Sequence, residues 1–319
     1  MRRTASHASS DVVGVHASDH ALQLVRVRAT AGPRAVMSYR TLALADGVVR
    51  NGLVHSGGVL PPVTARAAAQ FAGLTPVRVA LTTRDCAVVA LSGERSEPLT
   101  ALTAAAAASG RSGDAVWADV VSNGGRAVGL VGALRSSVLR TAAAFERAGL
   151  RVTAIEGGPV TLIAAATALV APPAGTWTVR CIAARLDVRT SVSRSGRTEG
   201  TVFAVDDADA PAFALSSDGP GAVPIDLLDA MRDRLGPRAS KLDAQTVASF
   251  ALAFGAALGG LPRSLDSPDL RAAVVVRPLV SSAGRALPRW VVEPLPHAAH
   301  HVLSTRVRPR RRHVAGGRQ

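Results

Sequence analysis

The chain has 319 residues, 48% of them hydrophobic, 19% charged and only 3% aromatic, with a formal net charge of +14 at pH 7. That length and apolar content exclude a wholly disordered chain and allow one large or two modest domains. The core has to be built from small aliphatic side chains, because Ala, Val and Leu dominate. Lys241 is the only lysine. The scattered arginines fit a composition bias more simply than they fit an anionic partner such as nucleic acid or a membrane surface.

Cys86 and Cys181 form no Cys-x-x-Cys or Cys/His cluster. No zinc centre is therefore expected, and both read as buried free thiols compatible with a reducing cytoplasm. The stretch from Met1 to Asp11 lacks the apolar segment of a signal peptide. Two uncharged stretches, 157–179 and 244–262, are broken by proline, glycine or polar residues. They read as buried globular helices rather than membrane spans.

In chain order, Asp11–Val15 is a short apolar strand. Ala21–Arg28 alternates apolar and polar residues and is a second strand. His16–His20 forms the turn between them. Ala35–Leu44 is a third strand, and Val48–Val54 a hairpin turning at Asn51-Gly52. A helix over Pro62–Ala72 ends at Gly73. Val77–Thr82 reads as a strand buried on both faces. Ala87–Leu91 is a strand, Leu99–Ser109 a short helix, and Ala115–Val121 with Ala127–Leu134 a hairpin turning at Asn123–Gly125.

Ser136–Ala148 is an amphipathic helix, Val152–Ile155 a strand and Pro159–Val170 a helix, followed by a Pro/Gly linker over Ala171–Gly175. Three strands follow: Trp177–Ala184, Val188–Ser193 and Gly200–Val205, the last two joined at Ser195-Gly196. Asp206–Ala222 reads as a loop and Asp226–Leu235 as a helix. Asp243 caps a long helix that ends at Gly259-Gly260. Ala272–Pro278 is the last expected strand, and the chain beyond Ser281 reads as a basic tail.

Several of these passages resemble the PilM family of actin-like pilus assembly proteins. Gly14-Val15-His16-Ala17-Ser18-Asp19-His20-Ala21-Leu22-Gln23-Leu24-Val25 is similar to its first phosphate loop, G-I-D-x-G-S-x-x-x-K-x-V, in register and without a gap. Phe145-Glu146-Arg147-Ala148-Gly149-Leu150 followed by Val152–Glu156 resembles its helix, A-G-L, strand and acid passage. Ala253-Phe254-Gly255-Ala256-Ala257-Leu258 resembles its late A-x-G-x-A-L helix. The resemblance covers residues 11 to 278. It implies an α/β, actin-like (RNase H-like) two-lobe fold with an inserted strand-helix-strand-strand subdomain and a reduced second lobe. The implied organisation is a disordered 1–10, a first lobe from 11–83 and 135–173, an insert at 84–134, a second lobe at 174–280 and a basic disordered tail at 281–319.

The chain departs from the family where nucleotide chemistry would be done. His16 replaces the loop carboxylate, Ser18 the loop glycine and Gln23 the loop lysine. An actin-like loop needs small residues whose N–H groups approach phosphate, and a carboxylate that holds Mg²⁺ through water. In the second phosphate loop the family's Asp and Gly fall on Ile182 and Ala184, with Asp187 displaced. The candidate cleft residues are therefore Gly14, His16, Ser18, Asp19, Gln23 and Asp187. No catalytic residue, no metal and no cofactor is expected, and ATP with Mg²⁺ enters only if that cleft still functions.

Neither a Walker A loop nor a GxSxG elbow occurs. Glu156-Gly157-Gly158 reads as the opening of the Pro159 helix, or as part of a ligand cleft. Asp226, Asp229 and Asp233 with Arg232 and Arg234 read as a solvated, ion-paired helix face. Arg308, Arg310, Arg311 and Arg312 form a dense basic run suited to anionic lipid. Without interleaved aromatics, nucleic acid is a poorer match.

The resemblance implies a cytoplasmic scaffold, peripheral to the inner face of the cell membrane, in a type IV pilus-like machine. It would take up a short cytoplasmic segment of an inner-membrane pilus assembly protein. The hairpin from Val120 to Arg126 would take part, by strand addition at an exposed sheet edge. Two rival expectations stand. One is an ATPase or sugar-kinase-like enzyme on the same fold, and the other an arginine-driven nucleic-acid-binding protein, whose affinity would fall steeply with salt.

Overall fold

The computed structural model describes residues 11–28, 35–50, 53–55, 59–82, 86–90, 115–122, 127–170, 175–181, 186–192, 198–205, 213–217, 225–259, 265–266, 269–280 and 286–294. It is a mixed α/β protein. β1 (Asp11–Ala17), β2 (Ala21–Arg28) and β3 (Ala35–Ala43) form the expected antiparallel meander. A small hairpin of β4 (Val49–Arg50) and β5 (Leu53–Val54) leads to α1 (Pro62–Ala72). Pro62 opens α1, where its missing N–H costs nothing. β6 (Val77–Ala80) returns parallel to β1. β10 (Val152–Glu156) lies parallel to β6, giving the order β10-β6-β1-β2-β3.

A second sheet grows from the insert: β7 (Cys86–Ala90), β8 (Ala115–Ser122) and β9 (Ala127–Leu134). Without an intervening residue, β9 runs into α2 (Arg135–Arg147), and β10 leads to α3 (Gly158–Val170). The third sheet holds β11 (Gly175–Cys181), β12 (Leu186–Val192), β13 (Thr198–Val205), β14 (Phe213–Ser217) and β15 (Ile225–Asp226), in the order β13-β12-β11-β14-β15. Next come α4 (Leu227–Leu235) and α5 (Ala244–Gly259). Both are capped by side chains. Asp226 Oδ1 accepts from Leu228 N at 2.8 Å, and Asp243 Oδ1 from Thr246 N at 2.8 Å.

The centre of the molecule is α5. Every residue from Ser249 to Leu258 is buried, as are the first nine residues of α3, which packs beside it. These are the two long uncharged stretches of the sequence. Among the described residues no helix is long and apolar enough to cross a membrane. All seven residues of β1 are buried, because α5 covers one face of the strand and neighbouring strands flank both edges.

Three expectations need correction. The stretch 206–222, read as loop, contains β14, which pairs with β11. The last expected strand, β17 (Val274–Val280), joins the insert sheet, with Val274, Val275 and Val276 opposite Trp117, Val116 and Ala115 of β8. The chain after 281 has the composition of a tail, yet β18 (Ala286–Pro294) pairs with β17. Pro288 and Pro294 hid this strand. β18 is the terminal strand of its sheet, the position where proline is tolerated. The helix expected over Leu99–Ser109 and the turns at Asn51-Gly52, Asn123–Gly125 and Ser195-Gly196 lie outside the described residues.

Candidate functional site

Strand register lines up Thr41, Gln23, His16, Ala80 and Glu156 in one row across the first sheet. Directly paired residues project to the same face of a sheet. Near the C-terminal ends of the parallel strands β1, β6 and β10, this row occupies the place where open α/β sheets receive ligands. Gly14 and Arg78 share the face, two residues earlier on their strands.

Gly14 is committed to packing. A Cβ built there would stand 1.7 Å from Ala253 O and 2.7 Å from Ala257 N of α5. Its small size seats the helix on the strand, so its face is filled by protein. The late-helix motif has the matching feature on its far side. A Cβ on Gly255 would stand 1.8 Å from Thr161 O of α3.

His16 is 4% exposed, and its Nδ1 donates to Ala80 O at 3.2 Å. Because a carbonyl only accepts, Nδ1 carries the proton. Burial lowers the imidazole pKa from 6.5 to about 4, against the opposing pull of the Ala80 hydrogen bond. The group is thus neutral at pH 7. Gln23, opposite it, is 2% exposed, and its Oε1 is buried with no hydrogen-bond partner. A neutral imidazole and an amide are a poor donor set for Mg²⁺, which prefers carboxylate and water oxygens. These residues do not fit the metal of an actin-like nucleotide site.

The turn is also closed on itself. Ser18 N donates to Ala21 O at 2.9 Å, and the Ser18 hydroxyl donates to the same oxygen at 3.0 Å. A phosphate loop needs such N–H groups turned toward the ligand. Asp19 is half-buried in this turn, and His20 Nδ1 lies 3.8 Å from an exposed Asp46 carboxylate. At the other end of the row, Glu156 is fully buried and takes a bond from Arg78 Nε at 2.5 Å. Sequence reading noted Glu156 but missed Arg78. The available signal was an arginine inside a strand read as buried on both faces, which demands a charged partner.

Gly157 is a packing glycine too, since a Cβ there would stand 2.4 Å from Val131 Cγ2. Its carbonyl accepts from Val160 N and Thr161 N, which opens α3 as the Pro159 reading anticipated. Asp187 sits on β12 of the third sheet, opposite Arg180 and Ala204. Val120 lies within β8, paired with Gly129 of β9. Just beyond it, the other side of β8 is occupied by β16 (Leu265–Asp266), with Asp266 opposite Val121 and Leu265 opposite Ser122. Arg126, Arg308, Arg310, Arg311 and Arg312 lie outside the described residues. Among those described, no three His, Cys, Asp or Glu side chains converge.

Buried neutral His16 makes stability pH-dependent. Between pH 6.5 and about 4 the unfolded chain binds a proton that the folded chain refuses. Stability therefore falls as pH falls through that window, by about 3 kcal/mol in total, and His16 contributes no further loss below it. A His16→Asn chain keeps a donor for Ala80 O without the titration. Urea midpoints measured from pH 7 to pH 4 should fall less steeply in the variant, and parallel curves would contradict this account.

No family model matches the chain, and no curated protein matches it. Solved structures do. The chain is similar to the PilM-PilN type IV pilus biogenesis complex at 15% identity and a TM-score of 0.42, over 78% of this chain and 71% of that one. It is similar to the cytoplasmic domain of EpsL, an inner-membrane component of the type II secretion system of Vibrio cholerae, at 10% identity and a TM-score of 0.36, over 61% of this chain and 71% of that one. It is also similar to a Bacteroides thetaiotaomicron protein of actin-like ATPase fold and unknown function, at 7% identity and a TM-score of 0.35, over 64% of this chain and 74% of that one.

Proposed function

We propose that this chain is an actin-like scaffold of a pilus- or secretion-type assembly machine, working at the inner face of the cell membrane without nucleotide hydrolysis. The observation that carries the reading is the state of the crevice at the ends of β1, β6 and β10. His16 is neutral and turned onto Ala80 O, and Glu156 is held by Arg78. Ser18 N closes its own hairpin, and Gly14 is covered by α5. His16, Ser18, Gly14 and Glu156 are thus each engaged by the protein itself, while Gln23 lies buried with its Oε1 unpartnered.

In this reading the chain acts by binding. A short cytoplasmic segment of an inner-membrane protein docks as an added strand. Beside Val121 and Ser122 that place is taken by β16, so the segment adds to a terminal strand of the insert sheet, such as β18. The basic run Arg308–Arg312 adds attraction to anionic lipid.

Calorimetry with ATP and Mg²⁺ up to millimolar concentrations tests the first half of the proposal. No saturable heat is expected. Saturable, Mg²⁺-dependent heat that disappears on Ser18→Pro, which removes the hairpin N–H, would instead establish a working nucleotide site.

A further inference from the structure

The geometry points to an oxyanion-binding site at the N-terminus of α2, for a phosphate or carboxylate group. This inference is independent of the scaffold reading and of the crevice around His16. The helix has 13 residues, its N-cap position is Leu134, and no side chain caps it. Its first turn contains no acidic residue. The first amides of a helix lack internal partners, and the positive end of the helix dipole lies there. Most helices answer with Ser, Thr, Asp or Asn at the cap, whereas here the first residue is Arg135, a cation placed where the dipole disfavours one.

The side chains supply the second, independent observation. Arg135 Nε is buried without a hydrogen-bond partner. So is the hydroxyl of Ser137, a residue only 1% exposed. The Cα–Cβ bond in a helix tilts toward the N-terminus, which carries the Ser137 side chain back toward the first turn. Thr141, 3% exposed and one turn later on the same face, has an unpartnered hydroxyl as well. A buried hydroxyl left unpaired costs about 1–3 kcal/mol. An uncapped dipole, an unpaired guanidinium nitrogen and an orphaned hydroxyl at one helix end are each unfavourable alone. A single bound oxyanion satisfies them together: it accepts from the first-turn amides, from Arg135 and from Ser137, and balances the positive charge.

The test uses the full chain and thermal unfolding in sodium phosphate, sodium acetate and sodium chloride at matched ionic strength and pH 7. Anything that binds the folded state raises the melting temperature with its concentration. Phosphate or acetate should raise it above the chloride value in the wild type. Arg135→Gln and Ser137→Ala should each abolish that increment. Ser137→Ala should in addition be as stable as wild type, or more so, in chloride, because it deletes an orphaned hydroxyl. A response to phosphate alone assigns a phosphate-type ligand, and an equal response to acetate a carboxylate. The inference is overturned if neither anion exceeds chloride, or if the increment survives in both variants, which would place the anion on other arginines.

Discussion

Gly14→Ala should destabilise the chain by at least about 3 kcal/mol, at the upper end of what overpacking a core costs. The added methyl group would stand 1.7 Å from Ala253 O, a backbone atom that no rotamer change can move. Relief requires α5 to lift away from β1. That path is blocked, because Gly255 holds the opposite side of the same helix against Thr161 O of α3. Gly255→Ala is therefore expected to be harmful too, although alanine ordinarily favours a helix over glycine by about 1 kcal/mol. The double variant should cost less than the sum, since a helix already displaced by one methyl has lost the contact that the other would break. Gly73→Ala is the contrast. Its Cβ meets nothing within 4 Å, and only its backbone angles, φ 57° and ψ −130°, resist the change, at about 1–3 kcal/mol. Urea midpoints of the four chains decide the matter. A Gly14→Ala midpoint equal to that of Gly73→Ala would mean α5 does not rest on β1 as described.

Those two glycines also show where sequence reading reached its limit. Periodicity and turn signals gave the meander, α1, the hairpin of β8 and β9, and α2, because each pairs with or packs on near neighbours in the chain. In the sequence Gly14 reads as a phosphate-loop residue. Its actual neighbour lies on α5, more than two hundred residues later, and a one-dimensional pattern carries no trace of that approach. The same blindness explains β17 and β18, whose place beside β8 follows from long-range pairing that composition does not encode. The chemistry of the crevice was more legible. An imidazole in place of a carboxylate, and an amide in place of a lysine, remain a poor metal and phosphate set whatever surrounds them. What the sequence withheld was the state of His16, because its neutrality comes from burial and from Ala80 O, a residue 64 positions away.

Arg78 and Glu156 form the interaction whose loss should be felt most on that face. Removing one partner of a buried ion pair strands the other, at about 3–5 kcal/mol. The two halves are not equivalent. Arg78 is 15% exposed along its side chain and can extend toward water, whereas Glu156 is 0% exposed. Arg78→Met should therefore cost more than Glu156→Gln. In the Arg78→Met, Glu156→Leu double variant neither charge of the pair is left buried without the other, and the loss should be smaller than the sum of the two single losses. A double-mutant cycle by urea unfolding yields the coupling directly. Strictly additive losses would mean the two groups are stabilised separately by other neighbours. A strong coupling would mean that the carboxylate at the end of β10 is held by the sheet itself. A carboxylate fully buried against Arg78 is badly placed to hold Mg²⁺ through water, which is what a nucleotide site would ask of it. The energetics of the fold and the absence of hydrolysis in the proposed function then have one origin. The charges of the crevice have been turned inward, where they brace β6 against β10 beneath α5.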